Sequence, residues 1–245
     1  MAGRTLLAAD LHLDPSRPAL AALATRFVER AAGADALWLL GDLFEAWIGD
    51  DAFDAVAGPD LVRFADALGA LAASGTAVHL MHGNRDFLLG EDFADRLGAT
   101  LHREDEVVVE LAGECALLLH GDTLCTGDVE YQRVRPLLRS AAWQAEQLAR
   151  PVAERLEIAR ALRGTSRGAT DIVDVTPREV DARLRATGAT LAVHGHVHRP
   201  AEHAGPVGPD GAATRRLVVG DWHDDRAVVA LAGDDGIGLT TIDRV

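Results

Sequence analysis

The sequence contains no lysine: all 24 basic residues are arginine, and 38 acidic residues give a formal net charge of −14. Nucleic-acid binding needs a positively charged surface, so we predict that nucleic acid is not a partner. The two cysteines are too few for a disulfide framework and fit a reducing compartment. No window approaches the roughly 20 apolar residues of a membrane-spanning helix, and the N-terminal apolar run is too short for a signal peptide. We therefore predict a soluble, cytoplasmic protein.

The chain has 245 residues, of which 48% are hydrophobic, enough for one large domain with an inserted part. Apolar runs typical of buried strands alternate at first with periodic runs typical of helices, which indicates an α/β fold. This first part has predicted strands at 4–12, 35–42 and 76–86, and predicted helices at 15–33, 59–74 and 93–99. The rest has a predicted hairpin at 106–122, helices within 128–168 and at 176–188, a strand at 189–200, and strands within 214–242.

Five of the apolar strands end in polar clusters. These are AADLH (8–12), LLGD (39–42), MHGNRD (81–86), LLHGD (118–122) and VHGHVH (193–198). In open α/β sheets, sites lie beyond the carboxyl ends of the strands, so these side chains could meet at one edge. The candidate metal ligands are Asp10, His12, Asp42, Asn84, His120, His196 and His198. Their imidazole nitrogens and carboxylate or amide oxygens suit Mn, Fe or Zn.

Each cluster taken alone also has a plain structural explanation. Asp-x-His could be a strand end with a hydrogen-bonded histidine, Gly-Asp is a common turn, and Gly-Asn-Arg-Asp could be a turn with left-handed asparagine. Three imidazoles within 194–198 are harder to explain by packing. Five such endings in one chain favour a metal site over five independent accidents.

These motifs, in this order, resemble the calcineurin-like metallophosphoesterase family, and they span residues 10–198. The resemblance implies a single domain over 1–245 with an α/β, four-layer architecture, a β-sandwich flanked by helices. It also implies two divalent metal ions. One ion would be held by Asp10, His12, Asp42 and His198. The other would be held by Asp42, Asn84, His120 and His196, with Asp42 as the bridge.

The residue after the motif asparagine is Arg85, where many members of the family carry histidine. Arginine is always charged and offers a forked set of donors to phosphate oxygens, but it does not readily give up a proton. It therefore suits a leaving group that needs little protonation, such as a phosphoanhydride. The residues with implied catalytic roles are Asp42, Asn84, Arg85 and His120.

Longer strings resemble one branch of this family, the pyrophosphatases of lipid A biosynthesis. They are 40–51, 82–90, 118–135, 194–200 and 218–224. This resemblance implies hydrolysis of UDP-2,3-diacylglucosamine to 2,3-diacylglucosamine 1-phosphate and UMP, by metal-activated water attack on the α-phosphorus. It implies Mn2+ as the usual metal. It also implies peripheral work at the cytoplasmic face of the inner membrane.

The predicted helical segment 128–168 is an insertion that would form a cap. Across 131–168, eight arginines and three glutamates give a local charge of +5. A basic segment with apolar positions fits a cover over acyl chains near anionic headgroups. The alternative is an ordinary amphipathic hairpin that packs on the core.

The resemblance also implies substrate contacts. They are Asn84, Arg85, Asp128, Ser166 and His196. After Arg167 the chain is about five residues shorter than the family pattern, so that family contacts through asparagine and lysine are missing or replaced. Arg163 and Arg167 are the candidate replacements. Two alternatives to the lipid pyrophosphatase stay open: another metallophosphoesterase, such as a nucleotide phosphodiesterase or nucleotide-sugar hydrolase, and a non-catalytic scaffold.

Overall fold

The computed structural model describes residues 3–166, 173–207 and 211–243. Its strands are β1 (Thr5–Ala8), β2 (Ala36–Leu39), β3 (Ala77–Met81), β4 (Thr100–His102), β5 (Glu106–Leu111), β6 (Glu114–Leu119), β7 (Leu191–His194), β8 (Ala201–Val207), β9 (Ala213–Val218), β10 (Arg226–Gly233) and β11 (Gly236–Asp243). Its helices are α1 (Pro18–Arg30), α2 (Phe53–Val56), α3 (Gly58–Ala73), α4 (Glu91–Leu97), α5 (Val129–Leu138), α6 (Ala141–Leu148), α7 (Val152–Ser166) and α8 (Pro177–Thr187).

The strands form two sheets. One has the order β11-β10-β1-β2-β3-β4, with β1 to β4 parallel. The other has the order β5-β6-β7-β9-β8, with β6, β7 and β9 parallel. Side chains alternate between the two faces of each strand, so Leu6 packs outward under the helices while Leu7 lies between the sheets. Both sheets therefore bury two faces.

Helices cover the outer face of each sheet. Phe27 of α1, Phe64 of α3 and Phe93 of α4 belong to the core on the outer face of the first sheet. Val180 and Leu184 of α8 pack on the second sheet. The layers are therefore helix, sheet, sheet and helix, which confirms the predicted four-layer α/β architecture.

Several element boundaries differ from those predicted. The first strand stops at Ala8 rather than continuing to residue 12, because Asp10 and His12 have φ values of 58° and 45°. Strands β4 and β8 were not predicted. The β8 strand contains Gly205 and Pro206, which argue against a central strand. It lies at the edge of its sheet, beside β9, and proline is tolerated at such an edge.

Helices α5, α6 and α7 lie between β6 and β7 in the chain. The fully described helix α5 buries none of its side chains, and the fully described α6 buries only Gln147. Asp128 caps α5 by accepting a hydrogen bond from the Tyr131 backbone N–H at 3.0 Å, and Ser140 caps α6. Among the described residues, no helix is both long enough and apolar enough to cross a membrane.

Candidate metal and substrate site

The predicted ligands follow the carboxyl ends of β1, β2, β3, β6 and β7. Most of them have left-handed backbone conformations. These are Asp10 (φ 58°), His12 (45°), Asp42 (52°), His196 (68°) and His198 (52°). Each such conformation costs on the order of 1–3 kcal/mol for a residue other than glycine and persists only where the surroundings enforce it. The turns redirect the chain at the strand ends, where the ligand side chains then meet.

The first group of ligands is Asp10, His12 and His198. Their ligand atoms all lie within 4.8 Å of one another. The two imidazoles approach most closely, with 3.1 Å between His12 Nε2 and His198 Nε2. The sequence separates these histidines by 186 positions, so the strand topology alone brings them together.

The second group surrounds His120. Its Nε2 atom is 3.0 Å from Asn84 Oδ1, and His196 Nδ1 is 2.9 Å from the same oxygen. Asp42 joins the groups, because its Oδ2 atom lies 3.7 Å from both His12 Nε2 and His120 Nε2. All seven predicted ligands therefore form one connected cluster. Asp10 also reaches the second group, with its Oδ1 atom 3.9 Å from His120 Nδ1.

The two carboxylates of this cluster fit a cation. Asp10 and Asp42 are 1% and 2% exposed, and the buried Oδ1 atom of Asp10 has no hydrogen-bond partner among the described residues. Burial raises the pKa of Asp10 well above its usual range and also raises the pKa of Asp42. Buried charge of this kind is unfavourable unless an opposite charge compensates it. A divalent ion supplies that compensation.

Three of the four imidazoles, those of His120, His196 and His198, fit the same purpose. At His12, burial is outweighed by the hydrogen bond to Glu45 and by neighbouring carboxylates, which raise its pKa. Burial, followed by the charges of neighbouring histidines, lowers the pKa of His196 to about 4 and that of His198 to about 3. Burial also lowers the pKa of His120. A neutral imidazole is the form that ligates metals, so the environment favours the ligating state. The donor set of oxygens and neutral nitrogens fits divalent transition-metal ions.

Two hydrogen bonds orient ligands of the cluster. His12 Nδ1 lies 3.1 Å from Glu45 Oε2, and His120 Nδ1 lies 3.0 Å from the Leu40 carbonyl oxygen. An acceptor at Nδ1 places the proton there and leaves Nε2 free to ligate. Glu45 is not among the predicted site residues, and the structure places it against one of the predicted ligands.

Asp86, the last residue of the Gly-Asn-Arg-Asp motif, supports the cluster from beneath. Its fully buried carboxylate accepts from the backbone N–H groups of Asp42 (3.2 Å), Leu43 (2.7 Å) and Gly83 (2.8 Å). It therefore ties the turn after β2 to the turn after β3. Asp86 is not among the predicted site residues, although its place in the motif, directly after Asn84 and Arg85, pointed to a role at the site.

Asp50 has a similar structural role one loop further on. It accepts from the Trp47 indole N–H and from the backbone N–H groups of Gly90 and Phe93, each at 2.9 Å. The last two lie at the start of α4, where unpaired N–H groups favour a negative charge. Asp50 thus holds Trp47 and α4 in a fixed relation.

A cavity of about 820 Å³ adjoins the cluster. The predicted site residues in its wall are His12, Asp42, Asn84, Arg85, Asp128, His196 and His198. Its apolar wall includes Trp47, Phe87, Leu88, Leu138, Trp143 and Ile158. The side chains of Arg163 and Ser166, and all of Arg167, lie outside the described part of the structure. Their predicted contacts stay predictions.

Helix α5 reaches the core through buried or half-buried polar groups. Asp122, next but one after His120, accepts from Tyr131 Oη at 2.5 Å and from Arg135 Nε at 2.7 Å. Burial opposes ionisation of Asp122, but the charge of Arg135 and the hydrogen bonds from Arg135 and Tyr131 favour it, and the pKa of Asp122 is lowered. Arg139 donates to the Gly83 carbonyl oxygen at 3.0 Å, beside the motif that carries Asn84.

Residues 3–200 match the family model for calcineurin-like phosphoesterases. The chain belongs to this family. Three similar proteins are each named UDP-2,3-diacylglucosamine hydrolase. That of Chromohalobacter salexigens is 46% identical over 94% of both chains, and that of Azotobacter vinelandii is 47% identical over 96% of this chain and 97% of the relative. That of Stenotrophomonas maltophilia is 45% identical over 98% of this chain and 99% of the relative.

A solved archaeal phosphodiesterase has a similar fold, with a TM-score of 0.50. It covers 98% of this chain and 99% of its own at 9% identity, a likeness that shows the fold alone. The predicted family membership is therefore confirmed by the family model and the relatives, and the metallophosphoesterase fold is supported by this structure.

Proposed function

We propose that the protein hydrolyses UDP-2,3-diacylglucosamine to 2,3-diacylglucosamine 1-phosphate and UMP. The observation that carries the proposal is that the ligand cluster opens directly into a largely apolar cavity of about 820 Å³. A phosphate-binding metal cluster beside an apolar wall suits a substrate with a pyrophosphate at one end and acyl chains at the other. The names of the relatives point to the same substrate.

We assign two divalent ions to the cluster, with Mn2+ as the expected metal. Asp10, His12, Asp42 and His198 would hold one, and Asp42, Asn84, His120 and His196 the other. When bound, such a pair of ions neutralises developing charge on phosphate and lowers the pKa of water. The nearly equal distances of 3.7 Å from Asp42 Oδ2 to His12 and His120 support Asp42 as the shared ligand.

Arg85 has the clearest role on the substrate side. It lies in the cavity wall, and its backbone N–H donates to Asp42 Oδ1 at 2.7 Å, which couples its position to the cluster. Its forked cation would bind pyrophosphate oxygens in the state in which charge accumulates on the leaving phosphate. Asn84, Asp128 and His196 line the same cavity and would contact the polar part of the substrate.

The insertion 128–168 would act as the cap. Its apolar residues Trp143 and Ile158 face the cavity, which supports a role in enclosing acyl chains and excluding water. Other apolar residues point outward, with Val129 67% and Leu137 58% exposed. Exposed apolar residues beside arginines support peripheral contact with the cytoplasmic face of the inner membrane.

The decisive experiment measures Mn2+-dependent release of UMP from UDP-2,3-diacylglucosamine, with identification of the lipid phosphate. An aryl phosphodiester serves as the comparison substrate, because it needs the metal cluster and not the apolar cavity. Turnover of the aryl ester alone would support a different metallophosphoesterase. Turnover of neither substrate with any divalent metal would support a non-catalytic scaffold.

A further inference from the structure

Arg155 is a buried charge in α7, whose other described side chains, within 152–161, are exposed or half-buried. It is 5% exposed and reaches across 104 residues of sequence to the loop at 47–51. Its Nη1 atom donates to the Ile48 carbonyl oxygen at 2.6 Å and to Asp51 Oδ1 at 2.8 Å, and Nη2 donates to Asp51 Oδ2 at 2.5 Å. Such a bidentate pair fixes orientation as well as distance.

Gly49 makes room for this contact. A Cβ atom at that position would collide with Arg155 Nη1, and it would also lie 2.7 Å from Leu148 Cδ2 and 2.8 Å from Asp51 Oδ1. The backbone φ of Gly49 is 119°, which also favours glycine. The Arg155 guanidinium therefore has the Ile48 carbonyl and the Asp51 carboxylate as acceptors, with the space left by Gly49 between them. Asp50 points away from it, toward Trp47 and α4.

The joined elements are two walls of the large cavity. The loop contributes Trp47 and Ile48, and α7 contributes Ile158 and Ala159. Most of these residues also separate the large cavity from a second, mainly apolar cleft of about 460 Å³ on the other side. Any change in the spacing of α7 and the loop therefore changes the width of the apolar part of the cavity.

We infer that Asp51 and Arg155 are positioning residues for recognition of the acyl chains. They form a clamp, with Gly49 as its open space, that sets the distance between α7 and the 47–51 loop. This inference rests on the proposed function, because it takes the apolar part of the cavity as the acyl site. Asp51 has no contact with the ligand cluster, and its side chain is 62% exposed. The clamp acts on substrate binding and leaves the metal chemistry unchanged.

The main test replaces Asp51 with asparagine, which keeps the size of the side chain and removes its charge. We expect the KM for UDP-2,3-diacylglucosamine to rise about tenfold with kcat within about twofold, the pattern for lost ground-state binding. Turnover of the aryl phosphodiester should not change. Asp51→Glu, which keeps the carboxylate, should recover part of the KM. The control Glu146→Gln breaks the exposed Arg150–Glu146 pair (2.8 Å) in the same insertion and should change neither substrate.

A second pair of variants tests the clamp without changing a charge. Gly49→Ala should reproduce the rise in KM, because the new methyl group displaces the guanidinium. Gly75→Ala is the matched control: Gly75 has a φ of 103°, and a Cβ there would meet nothing within 4 Å. It should lower Tm through backbone strain and leave the KM unchanged.

Amide hydrogen exchange in α7 gives a measurement independent of any substrate. Asp51→Asn and Gly49→Ala should speed exchange within 152–161 and leave α5 unchanged. An unchanged KM together with unchanged exchange would overturn the inference, and so would an equal loss of lipid and aryl turnover. If the wild-type protein cleaves only the aryl ester, the proposed function fails and acyl recognition fails with it. Exchange then decides whether the clamp itself exists.

Discussion

The metal cluster and the helical insertion are held in place in opposite ways. Asp10, Asp42 and His120 of the cluster are buried and its other ligands are half-buried. The ligands follow the ends of sheet strands, most of them with backbone conformations that the surroundings enforce. The described part of the insertion is mostly accessible and contacts the rest of the protein through polar side chains, among them Tyr131 and three arginines. The acceptors of the arginines are Asp122 for Arg135, the Gly83 carbonyl for Arg139, and Asp51 for Arg155. If the cluster carries the chemistry and the insertion selects the substrate, as we propose, then each should be alterable without the other.

The largest effect should come from the shared ligand. Asp42→Ala removes the oxygen that lies between both groups of imidazoles, and we expect activity to fall by at least about a thousandfold. Circular dichroism and hydrogen exchange of α5 to α7 should show an intact insertion. The exposed Asp54→Ala variant serves as the control. Activity within tenfold of wild type would contradict a two-metal mechanism.

Metal removal should separate the two regions without mutation. Chelation should abolish activity reversibly and lower Tm, because the ions stabilise only the folded cluster. Restoring metal at a hundred times its Kd should return about 2.7 kcal/mol of stability for each ion that binds. Amide hydrogen exchange in α5, measured on the same samples as the calorimetric Tm, should differ little between the metal-free and metal-bound protein. A Tm that does not respond to any divalent ion would contradict the assignment of the cluster.

Asp122→Asn should destabilise the packing of α5 against the rest of the protein. The variant weakens the hydrogen bonds that Tyr131 Oη and Arg135 Nε donate to residue 122. We expect the free energy of unfolding, measured in urea, to fall by about 2–3 kcal/mol. The folded pKa of Asp122 lies below its ordinary value of 3.8, so its contribution is fully present above about pH 4 and is lost in stronger acid. The difference between variant and wild type should therefore be constant from neutral pH down to about 5.

The matched control for this variant is Glu130→Gln, which breaks the exposed Arg133–Glu130 pair of the same helix. Such surface pairs contribute about 0–1 kcal/mol, so its stability should stay near wild type. An equal loss in both variants would show that the insertion depends on surface charge rather than on the buried contact.

The smallest effect on the isolated protein should come from the outer face of the insertion. Leu137→Ser changes a side chain that is 58% exposed, so stability should stay within about 0.5 kcal/mol and turnover of dispersed substrate should not change. Sedimentation with anionic vesicles should fall several-fold. Val108→Ser, at a 46% exposed position of β5, should leave vesicle binding unchanged. Equal effects of both variants would argue against a membrane-facing insertion.

The sequence predicted which strands are followed by polar clusters, although not where each strand ends, because both signals there are local. Apolar runs mark buried strands, and the polar residues that follow them, such as Asp10 and His120, stand out against such runs. The short β4 strand carries too few residues for a pattern. The β8 strand carries Gly205 and Pro206, whose local preference is overridden by pairing with β9. Tertiary pairing, not composition, decides both.

The supporting carboxylates were harder to predict because their partners are remote in sequence. Asp86 contacts groups 43 and 44 positions away, and Asp51 contacts an arginine 104 positions away. No periodicity connects such pairs. For this reason Glu45, Asp50 and Asp51 are not among the predicted site residues, whereas the structure gives each a specific partner.

The approach of Gly41 to Gly83 has a consequence for how this site can evolve. A Cβ on Gly41 would collide with the backbone of Gly83, and one on Gly83 would collide with Asp42. In a packed core, an enlarged side chain can be offset by trimming the residue opposite. Here both partners are already glycine and the contact is between backbones, so no second substitution can restore the lost space. The Gly-Asp and Gly-Asn motifs therefore cannot drift independently, and a lineage that loses either glycine has no route of repair except reversion.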